Sequence, residues 1–247
     1  MKTKCITSPK ATASQNKVTS DLVTVILLCD SPGYRMKSYG PLPLIGISDK
    51  KLIDLQINAI QQTFLNNEII LCVGFDAEKI CKYIRTYHSK SNIRIVENQL
   101  FNSCNSCEST RIALNNTLND KILICDGNLL LNSKCLSLIK NNETCVLTEI
   151  SPSENLEIGI NMNEKQDAEY FSFGARTIWS EILYLHNFET IELFRRIIVS
   201  QDNKSKFLFE ALNELLKTKH KIRCIPNKHQ LQKISNIKTY HAIKEKL

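Results

Sequence analysis

Residues 22–29, LVTVILLC, form an apolar run that stops abruptly at Asp30-Ser31-Pro32-Gly33. A run this short, β-rich and unbroken has the pattern of a strand in the middle of a sheet, buried on both faces. Such a strand needs helices above and below it, and the next segment supplies one. Ile53, Ile57 and Ile60 recur at helical spacing within residues 49–64, where Ser48 or Asp49 is the candidate N-cap. Between strand and helix lie Gly33, Arg35 and Lys37, then the Pro-containing loop 41–44. In an open α/β sheet ligands bind beyond the carboxyl ends of the strands, and cations held there favour phosphate.

The pattern continues in alternation. Residues 68–73 read as a second buried strand closed by Gly74, 77–88 as a helix capped by Asp76, and 93–96 as a third strand. A polar loop then leads into a helix over 109–118, and the strand 121–125 ends at Asp126-Gly127-Asn128. Alternating strands and helices predict a mostly parallel sheet joined by right-handed crossovers. Further on, helices are expected over 132–140, 189–200, 206–217 and 237–246, and Trp179 is placed on a helical segment. Strands are expected over 145–150, 156–161, 170–173, 221–225 and 231–234. The fold class is α/β, three layers, with a central mixed sheet between helices.

At 247 residues the chain suits one such domain over 21–247, preceded by a polar segment 1–20 that is expected to be disordered. No apolar run reaches membrane-spanning length, and the first 20 residues lack the hydrophobic core of a secretory signal. The net charge of +7 is spread along the chain without a dense basic patch, which argues against a nucleic-acid reader and for anionic small molecules. Five of the ten cysteines, Cys29, Cys72, Cys125, Cys145 and Cys224, fall in strand-like apolar runs, where the reduced thiol acts as a small hydrophobe, so a reducing, cytoplasmic setting is expected. Cys104-x-x-Cys107 has no second pair to complete a zinc site, and a redox role is the other reading of it.

The segment Leu28-Cys29-Asp30-Ser31-Pro32-Gly33-Tyr34-Arg35-Met36 resembles the opening of the sugar-phosphate nucleotidyltransferases, whose pattern is Leu-Ala-Ala-Gly-x-Gly-Ser/Thr-Arg-Met. Gly33, Arg35 and Met36 match, and Ser31 takes the place of the first glycine. Pro41-Leu42-Pro43-Leu44 resembles the following Pro-Lys-x-Leu segment with Leu42 at the lysine, and residues 49–54 resemble the helix start after it. Asn98, Phe101, Asn105 and Ser109 match in spacing the Asn-Pro-x-Tyr-x-x-x-Asn-x-x-x-Ser pattern of the choline-phosphate cytidylyltransferase-like branch. Near the end, Lys233-Ile234-Ser235 stands where that family has Glu-Ile-Asp.

The resemblance implies a Rossmann-like fold of the GT-A type and a reaction joining a nucleoside triphosphate to a sugar or alcohol phosphate with release of pyrophosphate. It implies nucleotide contacts from Asp30, Ser31, Gly33, Arg35, Asn98, Asn105 and Ser109, with Arg35 clasping the phosphates. It implies Mg2+ or Mn2+ held at Asp126, or at Asn128 in a shifted alignment, with the second metal aspartate replaced by Ser235. Lys37 or Lys50 would stand in for the lysine absent at Leu42. Three functions remain open from the residues: a divergent nucleotidyltransferase, a non-catalytic nucleotide-binding or scaffolding relative, and a GT-A glycosyltransferase reading Asp126-Gly127-Asn128 as a metal motif for a sugar nucleotide. A homo-oligomer is compatible with all three.

Overall fold

The computed structural model describes residues 21–140, 142–150, 157–229 and 231–245; the expectations for 1–20, Leu156, Lys246 and Leu247 lie outside the described residues. The first half contains β1 (Val23–Cys29), β2 (Gly46–Ile47), β3 (Lys50–Lys51), α1 (Leu52–Thr63), β4 (Asn67–Val73), α2 (Ala77–Tyr87), β5 (Ile93–Glu97), α3 (Ser106–Leu114) and β6 (Lys121–Asp126). After it come β7 (Leu129–Leu130), α4 (Ser133–Leu136), β8 (Cys145–Ile150), β9 (Ile158–Met162), β10 (Ala168–Phe173) and β11 (Thr177–His186). The chain closes with α5 (Phe188–Ile198), α6 (Leu208–Lys217), β12 (Arg223–Pro226), β13 (Gln232–Lys233) and α7 (Ile237–Lys244).

The main sheet runs β10-β9-β11-β6-β1-β4-β5, with β8 added to β11 and β12 to β8. Strand β1 lies between β4 and β6, parallel to both, with Leu28 opposite Cys72 on one side and Asp126 on the other. Its side chains alternate between two cores. Ile26 and Leu28 pack among α3, α5 and α6; Val25, Leu27 and Cys29 pack among α1, α2 and α4. Two buried faces on one strand require the helix–sheet–helix sandwich that the unbroken apolar run predicts.

Strand order then locates a crevice. The chain steps outward from β1 to β4 to β5 and returns to the opposite flank of β1 as β6. Helix α3, on the return path, lies on the face opposite α1 and α2, as crossovers of a single hand require when the direction of travel reverses. The carboxyl ends of β1 and β6 therefore diverge at a topological switch point, where open α/β sheets bind ligands.

Several local expectations are corrected. Helix α1 begins at Leu52, because Lys50–Lys51 pairs back on Gly46–Ile47 as a two-residue ladder. Neither Ser48 nor Asp49 caps it; the Lys51 N–H donates to Asp54 Oδ2 at 2.9 Å. Asp76 precedes α2 without a side-chain capping bond and pairs instead with Lys79 at 2.6 Å. Helix α3 starts at Ser106, three residues early, and the helix expected over 132–140 is the single turn Ser133–Leu136.

The largest correction is Trp179, which lies on a ten-residue strand and not on a helix. Strand β11 is antiparallel to β6 and to β8, and its first two residues also pair with β9. Its Leu and Ile spacing imitates a helix because a bulge breaks the period of two: Trp179 faces Thr148, yet Leu183 faces Val146. Two extra residues are accommodated there, and Glu181 takes φ 56°, a left-handed conformation that costs a non-glycine residue about 1–3 kcal/mol.

Candidate active site

The loop after β6 is fixed against β1 by backbone contact. Gly127 N–H donates to the Leu28 carbonyl at 2.9 Å. A Cβ on Gly127 would stand 2.5 Å from that oxygen and 2.8 Å from Cys29 Sγ, so only glycine permits the approach. From the helical layer, the fully buried Gln56 donates through Nε2 to the carbonyls of Gly127 at 3.0 Å and Leu129 at 2.8 Å. Gln56→Leu leaves the Gly127 carbonyl buried without this donor, while the Leu129 carbonyl keeps the Leu131 N–H at 3.0 Å. The substitution is expected to lower the unfolding free energy by about 2–3 kcal/mol in a urea titration; an unchanged midpoint would mean the loop does not depend on this tether.

At the end of β1, Asp30 is held by a buried polar network. Asn98 Nδ2 lies 3.0 Å from Asp30 Oδ2, 3.0 Å from Ser109 Oγ and 3.2 Å from Cys104 Sγ. The Ser109 hydroxyl donates to the same Asp30 oxygen at 2.5 Å, and Asn98 Oδ1 accepts the Leu100 N–H at 3.0 Å. Burial raises the Asp30 carboxyl above its ordinary range, opposed by the bonds from Ser109 and Asn98. Asn98 and Ser109, expected to meet a nucleotide, thus spend their polar atoms on Asp30 and on the shape of the 98–109 loop. Asn105 is different: it is half-buried, lines the cavity, and donates through Nδ2 to the Ser205 carbonyl at 2.5 Å.

At the end of β6, Asp126 accepts the Asn128 N–H at 3.1 Å. The β11 bulge brings Glu181 to the same place, and β13 brings Lys233, whose Nζ lies 2.5 Å from Glu181 Oε1. Burial and the Glu181 charge push the Asp126 carboxyl up to about 7, against the opposing pull of Lys233 and the Asn128 N–H. Burial presses the Lys233 ammonium down, but Glu181 and then Asp126 outweigh it and hold it above its ordinary range. Glu181 Oε2 and Asn128 Oδ1 are buried without a hydrogen-bond partner among the described residues.

These residues do not fit a divalent cation. Magnesium asks for a near-octahedral shell of oxygen ligands, whereas here an ammonium already occupies a carboxylate oxygen. Among the described residues, no group of three His, Cys, Asp or Glu side chains is placed to hold a metal. Ser235, at the position of the second metal aspartate, offers only a neutral hydroxyl.

Two adjoining cavities open over this cluster and share Leu28, Ser31 and Asp126. The larger, about 490 Å³, is walled by Phe101, Trp179, Phe207 and Phe209 and floored by Asp30, Asp126 and Glu181. The other, about 210 Å³, lies against Gly33 and Tyr34 of the first loop and reaches Asn128, Lys233 and Ser235.

The cations of the first loop stand outside both cavities. Arg35 and Lys37 are exposed, with the Arg35 guanidinium 5.0 Å above the Tyr34 ring. Leu42 is buried, and its Cδ1 would stand 2.9 Å from a Cβ on Gly33, so this position serves packing. Cys107 is fully buried with its thiol pushed up to about 12, chiefly by burial, which makes it inert rather than redox-active. The nine cysteines among the described residues are free thiols. Arg195 donates to the carbonyls of Leu114 and Thr117 at the carboxyl end of α3.

Sequence reasoning missed Glu181 and the role of Lys233. The Lys-Ile-Ser triplet carried the only signal for the second, and no local pattern announces the bulge that places the first.

No helix among the described residues is long and apolar enough to cross a membrane. By sequence, no protein-family model and no curated protein matches the chain. By structure it is similar to the CTP:phosphocholine cytidylyltransferase of Streptococcus pneumoniae, with TM-score 0.75 and 16% identity over 90% of this chain and 98% of that one. It is similar to the inositol-1-phosphate CTP transferase of T. maritima, with TM-score 0.74 and 11% identity over 92% and 97%. A UDP-glucose pyrophosphorylase bound to UDP-glucose gives TM-score 0.75 and 12% identity over 91% and 98%. The chain has the fold of the nucleotidyltransferases, a Rossmann-like α/β sandwich, along nearly the whole length of each of these proteins.

Proposed function

We propose that the crevice between β1 and β6 binds a nucleoside triphosphate and that the protein is a divergent nucleotidyltransferase acting on a sugar or alcohol phosphate. The observation that carries this reading is the pair of adjoining cavities at the switch point, which share Asp126 in their walls. The aromatic compartment beside Asn105 suits a base, and the compartment under the Ser31–Gly33 turn suits the phosphates. In this assignment an acceptor phosphate oxygen forms a bond to the α-phosphorus as the bond to pyrophosphate breaks. The attacking oxygen arrives already ionised, so no general base is needed.

Positioning and charge carry such a displacement. Lys233, 36% exposed at its side chain, can place its spare N–H donors on the phosphates. The fold implies a divalent metal that would offset phosphate charge when bound; the residues gathered here do not fit one, and no step is assigned to it.

A second reading is favoured by Leu42 and Ser235, an apolar side chain and a neutral one where the resemblance puts a catalytic lysine and a metal aspartate: a nucleotide-binding relative without turnover. One panel separates the two. Thermal melts with ATP, CTP, GTP, UTP, deoxythymidine triphosphate and common sugar nucleotides should show stabilisation by one triphosphate, rising with concentration. Pyrophosphate release on adding sugar or alcohol phosphates then marks the enzyme, and its absence the binder. Protection by sugar nucleotides alone would sink the nucleotidyltransferase reading in favour of a glycosyltransferase.

A further inference from the structure

We propose that the Lys233 ammonium, paired with Glu181 beside Asp126, is a built-in replacement for a divalent cation, so that this crevice takes a polyphosphate without metal. Only the identity of the anion rests on the nucleotide reading above; the cation argument stands on the cluster itself.

Three observations converge on it. The first is placement: β13 pairs with β7, setting Lys233 opposite Leu129, and Ile234 N–H donates to the Asn128 carbonyl at 2.9 Å. Lys233 is thereby tied to the loop that carries Asp126. The second is charge reversal. Lys233-Ile234-Ser235 replaces the acidic Glu-Ile-Asp of the pattern the chain resembles, turning two negative charges into one positive. The third is compensation. The bulge in β11 holds Glu181 at φ 56°, and that backbone conformation delivers a carboxylate to within 2.5 Å of Lys233 Nζ.

A divalent ion entering here would have to displace this ammonium or lie against it, and like charges at that range repel strongly in a partly buried site. The ammonium meanwhile supplies what the metal would: positive charge beside Asp126, fixed by one carboxylate, with donors left over for phosphate oxygens. Lysine binds phosphate as a point charge and needs no octahedral shell.

Two measurements on the full chain test this. In Mn2+ titrations followed by electron paramagnetic resonance, the parent should bind no stoichiometric ion, while the double variant K233E/S235D should bind one per chain. In thermal melts with excess chelator, inorganic pyrophosphate should protect the parent, and at least tenfold more should be needed for equal protection of Lys233→Met. That variant keeps the stem and places no second carboxylate beside Glu181, so it serves even if the double variant does not fold. Binding of one Mn2+ by the parent, lost in Asp126→Asn, would overturn the proposal, as would pyrophosphate protection that appears only with Mg2+. If no nucleoside triphosphate protects while pyrophosphate protects under chelator, the nucleotide reading fails and the ammonium assignment stands.

Discussion

Replacing Asn98 by alanine is expected to lower the unfolding free energy by about 3 kcal/mol at pH 7, a fall in melting temperature of roughly 6–12 °C for a chain of this size. Asn98 is fully buried, and its amide is the donor shared between Asp30, Ser109 and Cys104. Truncation removes one of the two side-chain donors that Asp30 Oδ2 uses, and it frees the Leu100 N–H. An ionised carboxylate that loses a partner inside the protein keeps its desolvation cost, so the loss exceeds that of a neutral hydrogen bond. The pH dependence separates this from a simple cavity. Asp30 already holds its proton above the ordinary carboxylate range, and without Asn98 its folded pKa rises further. The native variant then binds more protons than the unfolded chain over a wider window, so its stability falls more steeply as pH rises from about 4 to 7. Urea titrations of parent and Asn98→Ala at both ends of that window measure the difference. Equal losses at both pH values would show that Asp30 does not depend on Asn98.

The legible part of the fold was the part whose side chains repeat. The run at residues 22–29, the Ile53, Ile57 and Ile60 stripe and the strand 68–73 follow the periods of their elements and fall within β1, α1 and β4 with small shifts at the ends. The strand–helix alternation placed Asp30 and Asp126 at adjacent strand ends, which is the switch point. What failed was non-local. Nothing near Trp179 reveals that β11 is bulged, because the bulge exists only relative to β8. The shift of α3 to Ser106 reflects its junction with α6: Ser106 Oγ accepts the Leu208 N–H at 2.9 Å, a contact 102 residues apart in sequence.

The same distinction runs through the site. Motif spacing singled out Asn98 and Ser109, but spacing cannot say whether a polar side chain faces a ligand or a neighbour. Here both face Asp30, and the protein spends them on holding a buried carboxylate at the mouth of the crevice. Asp126 was found because it ends a strand. Its partners Glu181 and Lys233 arrive from elements 55 and 107 residues later, so only the folded chain shows that the acid beside Asp126 is already neutralised by an amine.

That arrangement gives the second large effect: Asp126→Asn is expected to stabilise the protein above pH 7 while impairing its site. The folded-state carboxyl titrates at about 7 against an ordinary value of 3.8. Between those values the native chain retains a proton that the unfolded chain has lost, so stability declines as pH rises through the window, and the penalty is complete above it. Three pKa units correspond to a ceiling of roughly 4 kcal/mol; with solvent reaching the half-buried group, about 2 kcal/mol is the working figure. Asparagine keeps the shape and an acceptor for the Asn128 N–H but carries no charge to repel Glu181. Its melting temperature at pH 8 should exceed the parent's by roughly 4–8 °C, and the gain should vanish near pH 4, where the parent is protonated. The Lys233–Glu181 pair then loses its second counter-charge, which leaves the ammonium freer for phosphate but removes a charge from the crevice where the proposed transfer takes place. Pyrophosphate should therefore still protect the variant, while any transfer activity falls by two orders of magnitude or more, in the range of losses about 10²–10³-fold typical of electrostatic groups in active sites. A variant no more stable than the parent at pH 8 would place Asp126 in a solvated, fully compensated setting and withdraw the account of the crevice as a site that sacrifices stability for a poised charge.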